Sequence, residues 1–401
     1  MDTDLLPLKG VVQNYAWGGK QYIPHLLGQD NRSNIPHAEL WIGAHPSGPS
    51  HTLLDNRVMG LDRLIARNPR AILGERVIDR FGPTLPYLFK VLDAAKMLSI
   101  QVHPSREQAR EGYKRENDKG IPVSAPSRNY RDSNHKPEVH VALTDFWMLH
   151  GFRPEKESNV ILNSIPEFSG LAKIAATHGI EILYQQLMDL PLDKVTKILS
   201  PLFNRLSAQH EKIPLDPDTP EYWALQAFKQ YGTADHGIFS IFLFNLLHLK
   251  PGQGTFQAAG VPHAYLRGTT IELMANSDNV LRGGLTPKHV DVPELLDTLK
   301  FDFLLPSILT GTSTNPAERI FPVPVQDFQL SALYVSSLLP FESSTPHGPD
   351  ALILVDGDVH IRTHKRKIHG KQGDIWMVPA DQPYEITSSE SATLYRATVP
   401  I

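Results

Sequence analysis

Three short stretches carry side chains that could hold a metal ion. Gln101-Val102-His103 sets a neutral amide and an imidazole two residues apart. On an extended strand, residues two apart share a face, so Gln101 Oε1 and a His103 ring nitrogen can converge on one point. His135-Lys136-Pro137-Glu138 offers a carboxylate at the start of a β-type run. Val261-Pro262-His263-Ala264-Tyr265 offers a second imidazole behind a stiff proline approach. Together the stretches supply nitrogen and oxygen donors without sulfur. That set suits a divalent first-row ion such as zinc, with room for water or substrate. Each stretch alone also has a plainer reading: the exposed polar face of an edge strand, a capped loop before a strand, or a structural histidine.

Strands must position these groups. Leu98 to His103 alternates apolar and polar residues strictly, the period of a strand with two unlike faces, and Ser99 falls on the face of Gln101 and His103. Leu85 to Leu92 is an apolar run containing one cation, Lys90, and Val139 to Leu149 is a second β candidate. Residues 1–152 thus read as strands and turns with one or two helices. After Arg153 the period changes: Ile180, Leu183, Tyr184, Leu187 and Met188 form an amphipathic helical stripe. Val195, Ile198, Leu199, Leu202, Phe203 and Leu206 repeat it, with Pro201 predicting a kink or two abutting helices. Thr219 to Tyr231 is again helical in texture. Strand texture resumes at Gly237 to Phe244 and persists through Leu249. After a linker near residues 311–320, the segments Leu352–Val355, Val359–Arg362 and Gly373–Ala380 read as strands joined by tight turns.

Composition bounds the rest. The 401 residues suffice for two or three domains, and 41% hydrophobic with 20% charged residues is ordinary for a globular chain. A net charge of -4 without long single-sign runs argues against a nucleic-acid or membrane surface. A phosphorylated ligand would be met by a few local cations. With no cysteine, disulfides, thiol nucleophiles and thiolate metal sites are excluded. The N-terminus lacks a signal-peptide pattern, and no apolar run approaches the ~18 residues of a spanning helix, so a cytoplasmic protein is expected. The 33 prolines and 27 glycines, spread along the chain, suit a β core with many turns, and a jelly-roll sandwich or barrel is the economical reading.

Longer stretches resemble a known family. Leu98 to Pro104, Asn134-His135-Lys136-Pro137-Glu138, Pro262-His263-Ala264-Tyr265 and the segment Asn276 to Lys288 are similar to type I mannose-6-phosphate isomerases of the cupin superfamily. Tyr15-Ala16-Trp17-Gly18 and Ala38 to Pro46 resemble its N-terminal segments. The resemblance runs in order over nearly the whole chain. One departure is Arg282-Gly283-Gly284-Leu285, where many relatives have Arg-Ala-Gly-Leu.

The resemblance implies one zinc per chain, held by Gln101, His103, Glu138 and His263. It implies a mainly β fold: a metal-binding cupin jelly roll (residues 1–152 and 237–315) interrupted by a helical domain (153–236), with a second jelly roll at 316–401. It also implies interconversion of mannose 6-phosphate and fructose 6-phosphate through an enediolate; a monomer acting on a small sugar phosphate, without nucleic-acid or membrane partners, is expected. Glu272 is the first candidate for proton transfer. Lys136 is the second: it faces the same way as Glu138 on an extended chain, and a nearby metal would push its ammonium pKa down. Arg282 suits stabilisation of negative charge. Ser99, Lys90 and Lys288 are candidates for the phosphate, although Lys90 also reads as a snorkelling surface lysine. Trp17, Glu39 and Tyr265 are candidates for the pocket wall, Trp17 equally for plain core. Rival readings are an iron oxygenase of cupin type and a non-catalytic sugar-phosphate-binding protein.

Overall fold

The computed structural model describes residues 4–54, 57–232, 234–303, 305–343 and 345–401. Its spine is the strand His263–Ala275, the longest in a sheet of ten. This strand has two sets of neighbours. Its first half pairs with Gln101–Val102 and Phe146–Phe152, its second half with Tyr87–Ala94 and Glu138–Ala142. The change falls at Gly268, whose φ of +121° and whose approach to Asp145 exclude a side chain: an added Cβ would lie 2.3 Å from the Asp145 carbonyl oxygen.

Strict alternation sorts the two faces of the second half. Val91, Phe89, Ile271, Leu273, Val139 and Val141 are buried in one apolar cluster with Leu330, Ile353, Tyr395 and Ala397 of a second sheet. The opposite face carries Lys90, Glu272, His140 and Glu138, all in register. These groups are buried as well, so the sheet encloses a polar interior that must satisfy itself.

The second sheet has seven strands and pairs Leu6–Leu8, near the N-terminus, with Ile375–Val378. Packed on it through Leu333, Leu352, Leu354, Val359, Ile361 and Trp376 is a four-stranded sheet built from Phe341–Glu342, Asp358–Thr363, Lys367–Lys371 and Tyr384–Thr387. Within the ten-stranded region, between the strand Phe146–Phe152 and the strand Phe244–Leu249, run the helices Glu155–Ser164, Ser169–Met188, Leu192–Lys212 and Pro220–Tyr231. The fold is therefore mainly β with helices in the middle of the chain. No helix among the described residues is long and apolar enough to cross a membrane.

Four expectations change. Gly237–Leu243 is a helix, and only Phe244–Leu249 is a strand. Every residue of that helix is buried, and a run apolar on all sides has no period to tell the two states apart. The stretch expected as a linker near 311–320 instead holds the strands Thr312–Asn315 and Glu318–Phe321 of the seven-stranded sheet. Among the described residues, the N-terminal β region has five helices rather than one or two, four of them only 5 or 7 residues long. Finally, Pro201 lies inside one helix rather than between two abutting ones, and a break in helical geometry falls instead at Gly179.

Candidate active site

The metal-ligand candidates meet at the mouth of this polar interior. His103, Glu138 and His263 each offer a ligand atom, and these atoms lie within 4.8 Å of one another. Glu138 opens the Glu138–Ala142 strand, and His263 opens the long strand directly opposite Gln101. Gln101 is itself opposite Arg282, so Arg282, Gln101 and His263 stand side by side on one face. Of the strand expected over 98–103 only Gln101–Val102 forms. Leu98, Ile100 and Val102 are buried, Ser99 and Gln101 half-buried, and His103, just past the strand, is buried as well because it turns in toward Glu138.

Both imidazoles are aimed by backbone carbonyls. His103 Nδ1 donates to the Asn279 oxygen at 2.9 Å, and His263 Nδ1 to that of Val261 at 3.1 Å. With the proton fixed on Nδ1, each Nε2 presents a lone pair toward Glu138. Nε2 of His103 lies 3.2 Å from Glu138 Oε1, but the two are not aligned, and this buried atom has no hydrogen-bond partner. A buried ring nitrogen left bare beside a carboxylate and a second imidazole fits a metal ligand.

Charge states agree. Burial, and then Lys136, push the His103 imidazole down to about 4, so the ring is neutral near pH 7. Burial would raise the Glu138 carboxyl, but Lys136 and the two histidines outweigh it and hold the group well below its ordinary value. Lys136 Nζ sits 2.9 Å from Glu138 Oε1.

Behind the ligands runs a chain of buried groups. The Tyr265 hydroxyl donates to Glu272 Oε1 at 2.8 Å and lies 3.4 Å from Glu138 Oε2. Glu272 Oε2 is 2.8 Å from Lys90 Nζ, which is 3.9 Å from Glu39. Burial would lower the Lys90 ammonium, but Glu272 and Glu39 together raise it above its ordinary value, so Lys90 stays charged. Lys90 is thus no snorkelling surface residue. Burial raises the Glu39 carboxyl despite Lys90. Trp17 packs on the cluster that contains Tyr265 and stacks on Tyr15.

In front of the ligands are cations. Arg282 is lowered by burial and then by Arg131, and Lys288 by burial and then by Arg282 and Arg131, so the three repel one another. None of the three has an ion-pair partner among the described residues, and the cluster would take up an anion. Of the three, Arg131 lines a cleft of about 590 Å³, together with Asp132, Asn276 and Asp278 among others. Arg131 is the residue sequence reasoning missed. It lies in a loop without periodicity, and only its nearness to the Asn134–Glu138 stretch could have drawn notice.

Residues 5–155 match the sequence profile of the phosphomannose isomerase type I catalytic domain. Mannose-6-phosphate isomerase of Salmonella typhimurium is 38% identical over 382 residues, covering 92% of this chain and 94% of that protein. The chain belongs to the mannose-6-phosphate isomerase family. Its human relative is 34% identical, over 98% of each chain. Among solved structures, the family's Salmonella typhimurium enzyme bound to substrate and zinc superposes with a TM-score of 0.89 at 34% identity, covering 99% of this chain and 100% of that one. A zinc-bound holo structure of a mannose 6-phosphate isomerase gives the same TM-score of 0.89.

Proposed function

We propose that this protein interconverts mannose 6-phosphate and fructose 6-phosphate, using one zinc ion held by Gln101, His103, Glu138 and His263. The observation that carries the reading is the adjacency of two unlike sites: the ligand cluster of His103, Glu138 and His263, and the cations Arg131, Arg282 and Lys288, which repel one another and join the cluster through the Arg282–Gln101–His263 register. A sugar phosphate presents matching ends, vicinal oxygens and a dianion. The alternative cupin chemistries leave the cations without a role. Bound zinc supplies a Lewis acid for the sugar oxygens.

The reaction moves one proton from C2 to C1 and another from O2 to O1. Glu272 is the base we favour, and Lys136 the alternative. Glu272 reaches the ligand cluster through the Tyr265 hydroxyl, a route along which a proton can be held and returned. Lys136, beside Glu138, is a donor for an oxygen that gains charge. Arg282, on the same face as Gln101 and His263, would counter the enediolate's charge. Lys288 and Arg131 would take the phosphate, with Ser99 a further candidate. Trp17 and Glu39 would close the pocket wall.

We also read the two β regions as jelly rolls of cupin type, with the helices an insertion between halves of the first. Strand pairing moves the boundary from that expected, because Leu6–Leu8 and Thr312–Asn315 belong to the C-terminal sheet.

A coupled assay for fructose 6-phosphate, on chelator-stripped protein with and without zinc, tests the reaction. Turnover restored by zinc supports it. Zinc binding with no turnover would turn the reading to a binding protein.

A further inference from the structure

The segment Asn276 to Lys288 contains one residue whose contacts are out of proportion to its size. Asn279 is 0% exposed. Its Oδ1 accepts from the backbone N–H groups of Arg131 at 2.7 Å and Asp132 at 3.1 Å. Its Nδ2 donates to the backbone oxygens of Asp132 at 2.9 Å and Asn134 at 2.8 Å. The amide thus uses both donors and both acceptor positions on one short stretch of backbone. At the same time its own carbonyl oxygen receives His103 Nδ1–H.

Asn279 therefore touches two ligand-bearing segments that are remote in sequence. One is His103. The other is the stretch 131–138, which carries Arg131 at one end and Lys136 and Glu138 at the other. That stretch is pinned at further points, because the Ala275 N–H donates to the Pro137 oxygen and Asn134 Nδ2 to the Asn276 oxygen. The Asp132 carboxylate returns the contact, accepting from the Ser277 hydroxyl at 2.9 Å and the Asp278 N–H at 2.8 Å. Ser277 Oγ in turn accepts from the Asn279 N–H at 3.2 Å.

We infer that Asn279 is a positioning residue for the metal site, fixing the tautomer and direction of His103 in register with the loop that delivers Glu138. The inference rests on the reading of His103, Glu138 and His263 as metal ligands. Truncation of the amide removes a hydrogen-bond partner from four backbone groups of that stretch. The loop then shifts, and the Asn279 carbonyl no longer aims the imidazole. Partners of this kind on ligating histidines act on metal affinity itself, by about 10- to 100-fold.

The test is the zinc dissociation constant, measured by chelator competition on stripped protein well below the unfolding temperature. Asn279→Ala is expected to weaken zinc binding about 10- to 100-fold. Ser277→Ala keeps the amide and loses only the hydroxyl, so it folds more readily and is expected to weaken binding about fivefold. Tyr384→Phe, which loses a 2.8 Å hydrogen bond to Asp350 in the C-terminal region, is the control. It should lower the unfolding temperature while leaving zinc affinity unchanged. Wild-type affinity in both Asn279→Ala and Ser277→Ala overturns the inference. If Asn279→Ala does not fold, Ser277→Ala alone decides in the same way. Failure of the wild-type protein to bind zinc would instead overturn the metal-site reading.

Discussion

Lys90 and Glu272 stand directly opposite each other on paired strands, their charged atoms 2.8 Å apart and both side chains buried. A cation on a fully paired central strand is costly to bury alone, and here two carboxylates, Glu272 and Glu39, compensate it. The pair fixes the Glu272 carboxylate so that its other oxygen meets the Tyr265 hydroxyl. The same contact thus serves both the fold and the placement of the candidate base.

Breaking the pair from one side should be expensive. Lys90→Met leaves Glu272 buried without its cation and is expected to cost about 3–5 kcal/mol in urea unfolding. Combining it with Glu272→Gln should recover part of that loss, with a coupling of about 0.5–3 kcal/mol. Additive effects would show that the two groups do not stabilise each other.

Glu272→Gln preserves shape and removes the base. Turnover should fall about 10²- to 10⁴-fold with little change in KM. An unchanged kcat would move the base to Lys136.

Arg131 should matter for binding more than for chemistry. Its truncation to Ala is expected to raise KM for the sugar phosphate about 10- to 100-fold, the worth of a charge-assisted contact, with kcat changed far less. Steady-state kinetics at two ionic strengths checks this, and an unaltered KM would remove Arg131 from the phosphate site.

Acid should destabilise the metal-free protein through its buried, neutral histidines. His103, His140 and His150 are all pushed down to about 4, chiefly by burial. An unfolded histidine titrates near about 6.5, so between that pH and about 4 the unfolded chain takes up protons that the folded one refuses. The stability these groups contribute is complete above pH ~6.5 and lost as pH falls toward ~4, at about 3 kcal/mol for each. Urea midpoints measured at pH ~7 and ~5 should differ in that direction, and His140→Gln should flatten the slope. A midpoint independent of pH across this window would contradict the assignment.

Much of the site was legible because its chemistry is written in short alternating stretches. Gln101 lies on the short strand Gln101–Val102 and His103 directly follows it, while the alternating Ile100 and Val102 are 0% exposed. Period 2 thus separated the ligand residues from the apolar ones even though the strand itself is only two residues long. The helices from Ile180 to Leu206 were legible for the same reason at period 3.6. Gly237–Leu243 was not, because a helix buried on every side has no polar stripe. Arg131 and Asn279 were missed for a different reason. Their roles come from loop backbones brought together by long-range pairing, and a single arginine or asparagine between turn residues carries no local signal. The Lys90–Glu272 contact spans 182 residues, and only the register of two strands reveals it.

The central claim is that the ligands at His103, Glu138 and His263 hold the ion on which turnover depends. The direct test titrates stripped protein with zinc while bound metal and fructose 6-phosphate formation are followed together, on wild type and His103→Ala. The account predicts that both curves saturate at one zinc per chain, and that His103→Ala loses both at the same zinc concentrations. Full turnover in metal-free protein, or saturation of the site with no turnover at all, would contradict it.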